Sequence, residues 1–141
     1  MFLLDTDTYT HLVREHRKVL DNAAKAAAGG EEIGITIVSK IEVLRGRFDA
    51  LLKAENRERF LAAQRQLFRA DAALQTIAVT ALDDASLDHF ERLQATKGLK
   101  KIGRNDLLIA AIALSRSATL VSRNLRHFGL VPRLRFVNWV D

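Results

Sequence analysis

The chain has no cysteine. Disulfide scaffolds, thiolate zinc centres and cysteine nucleophiles are therefore excluded. Histidine is sparse: His11, His16, His89 and His127 show neither HxH nor HExxH spacing, so no paired-imidazole metal site is legible. The single proline, Pro132, falls in the final loop. No apolar run approaches the length of a membrane span. No basic region precedes the first acid, Asp5, so no secretory leader is visible and a cytoplasmic protein with no membrane association is expected. Repeats, low-complexity tracts and linkers are missing too. With 141 residues, these absences fit one compact domain over residues 1–141.

What is present is an ordinary core composition, 48% hydrophobic, and a formal net charge of +5. That charge is mild, but a basic surface concentrates polyanions and raises the standing of nucleic acid or an acidic protein as partner. Strand-like and helix-like segments alternate. Phe2 to Leu4 reads as a short buried strand. Tyr9, Leu12, Val13, His16, Leu20, Ala23, Ala24 and Ala27 recur at helical spacing, predicting one helix that Gly29-Gly30 ends; His16 falls on its apolar stripe as a packed side chain. Ile33 to Val38 is rich in β-branched residues and reads as a strand. Two amphipathic helices follow, one through Ile41, Leu44, Phe48 and Leu52, the next through Phe60, Leu61, Leu67 and Phe68. Thr76 to Val79 predicts a third strand, and "DDASLDHFERLQA" a helix with acids at its start. After a basic loop, Lys97 to Asn105, comes "DLLIAAIAL", apolar on every side and so a deeply buried helix, packed against a sheet and a partner subunit. Thr119 to Ser122 and Arg135 to Trp139 complete the strands. The alternation predicts an α/β fold with a central, mostly parallel sheet flanked by helices.

In such sheets, sites gather beyond the carboxyl ends of the strands. The polar residues at those places are Asp5, Ser39 and Glu42, Asp83 and Asp84, Asn105 and Asp106, and Ser122 to Asn124. Taken singly, each has a structural explanation. Asp5 or Asp7 can cap the first helix, Ser39 to Glu42 is a capping-box pattern, and Asp84 and Asp106 can be helix starts. Taken together, several acids at one sheet edge repel one another, by about 4 kcal/mol per pair at about 4 Å and an effective dielectric near 20. A divalent cation relieves that repulsion. Oxygen donors without cysteine or paired histidine select Mg²⁺ or Mn²⁺, which leaves positions open for a phosphate oxygen and a water.

The opening, "FLLDTDTYTHL", matches the D-x-D-x-T motif of haloacid-dehalogenase-type phosphatases, in which the first Asp is a nucleophile. Ser39, Lys40 and "DDASLD" follow in a compatible order. However, the chain runs straight into a helix where those phosphatases place a loop and hairpin, and "IGRNDLLIAA" is left without a purpose. Over nearly its full length the chain instead resembles the PIN domain, specifically the VapC family of toxin ribonucleases. The resemblance rests on "FLLDTDTYTHL", on "ITIVSKIEVLRG" with Glu42 and Gly46, on "IGRNDLLIAAIAL" with Asp106, and on "ATLVSRNLRHFGLVPRLRFVNW".

The resemblance implies a Mg²⁺- or Mn²⁺-dependent endoribonuclease that leaves a 5′-phosphate and a 3′-hydroxyl. It implies Asp5 and Asp106 as metal ligands and Glu42 as the residue that orients or deprotonates the water. A fourth acid common in the family is replaced by Asn124, which can bind a coordinated water but brings no charge, so single-metal chemistry is favoured. Thr6 and Ser122 match supporting hydroxyls. Asp7, where the family commonly has Asn, is assigned to the helix cap. Lys97, Lys100, Lys101, Arg104 and Arg123 are candidates to hold the RNA backbone, and His127 is a weaker candidate for substrate contact. A homodimer and a cognate VapB-like antitoxin are implied as partners. The loss of the acid at Asn124 keeps a non-catalytic PIN-like domain, binding RNA or protein, as the alternative.

Overall fold

The computed structural model describes residues 1–141. Its five strands are β1 (Phe2–Leu4), β2 (Ile33–Thr36), β3 (Ala78–Thr80), β4 (Thr119–Val121) and β5 (Arg135–Val137). They form one sheet in the order β3-β2-β1-β4-β5, and every neighbouring pair is parallel. The expected α/β architecture is borne out. Strand β1 is central: β2 and β3 add on one side, β4 and β5 on the other. The direction of winding therefore reverses at β1, and connections leaving the carboxyl ends of β1 and β4 part to open a crevice.

Seven helices flank the sheet: α1 (Thr6–Val13), α2 (Arg17–Ala28), α3 (Ile37–Leu52), α4 (Arg57–Leu74), α5 (Asp84–Ala95), α6 (Arg104–Ser115) and α7 (Leu125–Phe128). Alternation along β1 sends Leu3 to one face and Leu4 to the other. Leu3 and Leu120 join a core with Phe90 and Leu93 of α5 and with the buried face of α6. Leu4, Ile35 and Val121 join a second core with Tyr9, Val19, Leu74 and Trp139. Between β2 and β3 the backbones approach so closely that a Cβ on Gly34 would lie 2.8 Å from the Ala78 carbonyl oxygen. Helices α3 and α4 form a hairpin whose outer surface leaves Phe48, Leu52, Phe60, Leu61 and Phe68 exposed, more apolar surface than scattered single residues. No helix is long and apolar enough to cross a membrane.

Several local expectations are corrected. The single helix through Ala27 is two, α1 and α2, because Glu15 adopts a left-handed conformation (φ 59°). The apolar spacing continues across that break, so periodicity hides it. His16 is half-buried at the cap of α2 rather than on a continuous stripe. Strand β2 ends at Thr36, whose hydroxyl accepts the Ser39 N–H at 3.1 Å and starts α3 early. Ser39 and Glu42 thus lie inside α3, and the capping-box reading of that stretch fails. The capping box of α5 is made by Asp83 and Ser86. Strand β3 starts at Ala78, and the last strand stops at Val137. Helix α6 buries Leu107 and Ile109 to Ala113 within this chain, because its alanines allow close approach of the sheet and α5; no partner subunit is required to cover it.

Candidate functional site

The crevice between β1 and β4 begins at Asp5. Asp5 is the single residue between β1 and α1, with extended backbone (φ −70°, ψ 173°). Its Oδ1 accepts the Thr8 N–H at 2.8 Å, so Asp5, not Asp7, is the N-cap of α1. Thr8 is missed by sequence reasoning, although the Asp-x-x-Thr spacing of a cap carries the signal. Its hydroxyl donates to the Val121 carbonyl at 3.1 Å and locks α1 onto β4. Asp5 is only 8% exposed. Burial pushes its carboxyl pKa up; hydrogen bonds from Ser122 and Thr8 oppose that, and the charge of Asp7 adds to the rise. Asp5 takes part in none of the chain's ion pairs.

Glu42 comes from the second turn of α3 and meets the first turn of α1, where the Thr6 hydroxyl donates to its Oε1 at 2.8 Å. Asp106 enters from the first turn of α6. Its Oδ2 lies 3.0 Å from His127 Nδ1 and 3.4 Å from Asn124 Nδ2. Asn124 Nδ2 is also 2.9 Å from His127 Nδ1. A proton on Nδ1 donates to Asp106; without it, Nδ1 accepts from the Asn124 amide. The Asn124 N–H donates to the Ser122 hydroxyl at 2.9 Å, which links this group to Asp5. Thr6 thus touches Glu42, Ser122 links Asp5 to Asn124, and Asn124, expected to bind a coordinated water, turns its amide toward Asp106. His127 stands closer to the centre than its weak expectation, carried there by the short helix α7, which the sequence does not reveal.

The basic candidates divide differently. Lys97, Lys100 and Lys101 are exposed on the connection before α6. The Arg104 guanidinium sits 5.4 Å over the Phe90 ring, turned toward α5. Arg123 pairs with Asp141 at 3.4 Å and, more loosely, with Asp7 at 3.9 Å, so its charge is already met by two acids. Asp7 is exposed and also faces His11 at 3.8 Å. It does not cap α1, but its charge is close enough to Asp5 to add to the rise of that carboxyl's pKa.

The PIN domain family model matches residues 2–134. The chain belongs to the PIN-domain family, in its VapC branch. Ribonuclease VapC2 of Haemophilus influenzae is 31% identical over 141 residues, 99% of this chain and 98% of that protein. Ribonuclease VapC2 of Rickettsia felis is 26% identical over 142 residues, with 99% and 98% covered. The crystal structure of VapBC2 from Rickettsia felis, bound to a DNA fragment from their promoter, superposes with a TM-score of 0.76 at 25% identity, covering 98% of each chain. Three of the four stretches singled out for their PIN-domain resemblance lie wholly within residues 2–134, and the fourth begins there and runs on to Trp139.

No three acidic or histidine side chains converge tightly enough to cage a metal ion by themselves. The donors nevertheless suit a hard cation that keeps most of its waters. They are carboxylates, Glu42 Oε2 and Asp106 Oδ1 make no protein hydrogen bond, and buried Asp5 has no counter-cation. Mg²⁺ and Mn²⁺ are commonly held by one or two carboxylates plus water.

Proposed function

We propose that this chain, as one PIN-like domain over residues 1–141, is a metal-dependent endoribonuclease that hydrolyses RNA phosphodiester bonds in the cytoplasm and is inhibited by a cognate VapB-like antitoxin. The observation that carries this reading is the uncompensated, buried carboxylate of Asp5 at the β1/β4 crevice, with open oxygens of Glu42 and Asp106 on the neighbouring helices. The relatives named Ribonuclease VapC support the substrate. The VapBC assembly supports the inhibitor.

Asp5 and Asp106 would hold Mg²⁺ or Mn²⁺, which when bound supplies Lewis acidity toward the phosphodiester and lowers the pKa of water. Glu42, fixed by Thr6, orients the attacking water and takes its proton. The water oxygen bonds to phosphorus as the bond to O3′ breaks, and the departing oxygen takes a proton from solvent to become the 3′-hydroxyl. His127 and Asn124 hold Asp106 in place, while Ser122 and Thr8 hold Asp5. Lys100 and Lys101 remain free to meet the RNA backbone, whereas Arg104 and Arg123 would first have to leave Phe90 and their acids. The apolar outer face of α3 and α4 supports a protein interface, for the antitoxin or for a homodimer.

The test is cleavage of single-stranded RNA by the purified protein with Mn²⁺ and with chelator, beside Asp5→Asn and Asp106→Asn. Loss of at least about a hundredfold in both variants is expected, the scale on which an electrostatic contact to the reacting group acts. Cleavage that survives both substitutions would overturn the assignment. Asn124 favours one second reading, a non-catalytic domain, since it leaves the cluster one carboxylate short. RNA binding by the wild type with no cleavage under any divalent ion would establish that reading instead.

A further inference from the structure

Six of the seven glycines have a reason within the chain. Gly30 and Gly98 have positive φ, Gly34 and Gly129 sit where a Cβ would press on a carbonyl, and Gly29 and Gly103 are at helix ends. Gly46 has none. It lies inside α3 with ordinary helical backbone, and a Cβ added there meets no atom within 4 Å. Alanine at such a position is the better helix former. Something outside the chain must come close if the glycine is needed.

Gly46 lines an open groove of about 540 Å³ between α3 and the start of α6. Glu42 lines it one turn before Gly46, and Asn105, next to Asp106, lines the opposite wall. Its apolar lining includes Ile37, Ile41, Leu82 and Leu108, and Arg45 and Asp49 of α3 also line it. We propose that this groove is the subsite for one unstacked nucleobase bordering the scissile phosphodiester, with Gly46 letting the base lie against the α3 backbone. The inference rests on the ribonuclease reading and adds to it the part of the RNA held beside Glu42. A groove whose lining mixes apolar side chains with polar and charged ones suits a splayed base, which buries its faces and offers its edge for hydrogen bonding. Asn105 presents an amide, a group that pairs with base edges through one donor and one acceptor. Continuity with Glu42 argues for RNA over a protein segment, because a base in this groove stands beside the residue proposed to orient the attacking water.

The experiment uses the full chain, a defined single-stranded RNA with a mapped cut, and Gly46→Ala and Gly46→Leu. Both variants should melt no lower than the wild type. Gly46→Leu should raise KM by at least about fivefold, the loss expected when one stacked base is forfeited, with kcat nearly unchanged. An abasic nucleotide at one position flanking the cut should raise the wild-type KM similarly and add nothing further in Gly46→Leu. An unchanged KM in Gly46→Leu overturns the proposal. So does weakened antitoxin binding or self-association with RNA kinetics intact, which gives the groove to a protein. A wild type that cuts no RNA removes the ribonuclease reading itself, and is distinguishable because no Gly46 variant enters that result.

Discussion

Asp5 caps α1 and, in the function proposed for it, also holds a metal ion; the two roles make conflicting demands, and Asp5→Asn separates them. As a cap, the side chain needs only an acceptor for the Thr8 N–H, at 2.8 Å. Asparagine supplies one as well as aspartate does. As a site residue it must be an ionised carboxylate, buried to 8% exposure with no protein cation beside it. Burial raises its folded pKa above the unfolded value, so the folded state binds the proton more tightly. Stability is then highest below the unfolded pKa, falls as pH rises through the folded pKa, and stays at a lower plateau above it. Each unit of upward shift costs about 1.4 kcal/mol at neutral pH. Asp5→Asn keeps the cap and removes that cost. In chelator at pH 7.5 it should be more stable than the wild type, with the gain shrinking as pH is lowered through the Asp5 titration. Asp5→Ala removes the same charge but leaves the Thr8 N–H without its acceptor, so it should fall below Asp5→Asn by about 1 kcal/mol.

Urea denaturation with equal slopes for the three proteins reads all of this directly. Adding Mn²⁺ should then restore the wild type, by about 2.7 kcal/mol at a hundred times the dissociation constant, and do far less for Asp5→Asn. A variant no more stable than the wild type at pH 7.5, or a gain that ignores pH, would refute the idea that an uncompensated charge is stored at this position.

Other perturbations probe the supports around it. His127→Ala removes the 3.0 Å contact to Asp106 and should cost about 10- to 100-fold in cleavage, shown by initial rates across a Mn²⁺ titration; a wild-type rate would mean that Asp106 needs no such brace. Thr6→Val deletes the 2.8 Å bond to Glu42, and a charge-assisted bond worth about 1.5–3 kcal/mol predicts a fall in kcat of about tenfold or more with little change in melting temperature. Phe68→Ser combined with Leu52→Ser, on side chains 65% and 64% exposed, should weaken association with the antitoxin or with a second copy in sedimentation while cleavage continues. Gly34→Ala forces a Cβ to 2.8 Å from the Ala78 carbonyl and should lower stability by about 1–3 kcal/mol in the same urea assay.

The order of strands and helices is legible because each carries its own period. Phe2 to Leu4, Ile33 to Thr36 and Thr119 to Val121 are short apolar or β-branched runs ended by polar residues, and α3, α4 and α5 repeat at helical spacing. What is not legible turns on single backbone angles. The left-handed Glu15 splits one helix into two without a glycine to mark it. The start of α1 at Thr6, two residues earlier than a cap at Asp7 would allow, exchanges the roles of Asp5 and Asp7. Helix α7, Leu125 to Phe128, is one turn, too short for any period, yet it sets His127 against Asp106. Arg104 and Arg123 look free in the sequence, and their partners, Phe90, Asp7 and Asp141, are visible only once the chain is folded.

Asn124 and His127 make better sense together than apart. The family resemblance places four acids at this crevice, and two unit charges about 4 Å apart repel by about 4 kcal/mol at an effective dielectric near 20. With Asn124 in the fourth place, one such charge is absent. Its amide instead lies 3.4 Å from Asp106, and His127 lies 3.0 Å from the same oxygen, so one side of that carboxylate is held by protein donors and the other is left open. Asp5 is arranged alike: one oxygen caps α1, and the Ser122 hydroxyl adds a neutral hydrogen bond in place of a cation. Each acid is thus oriented by neighbouring polar side chains, and Asp106 keeps one oxygen without a protein hydrogen bond. A site built to attract two divalent ions would need more negative charge than this. Two oriented carboxylates with Glu42 beside them match the demand of one hard ion that retains most of its water, which is why we read the chemistry as single-metal hydrolysis.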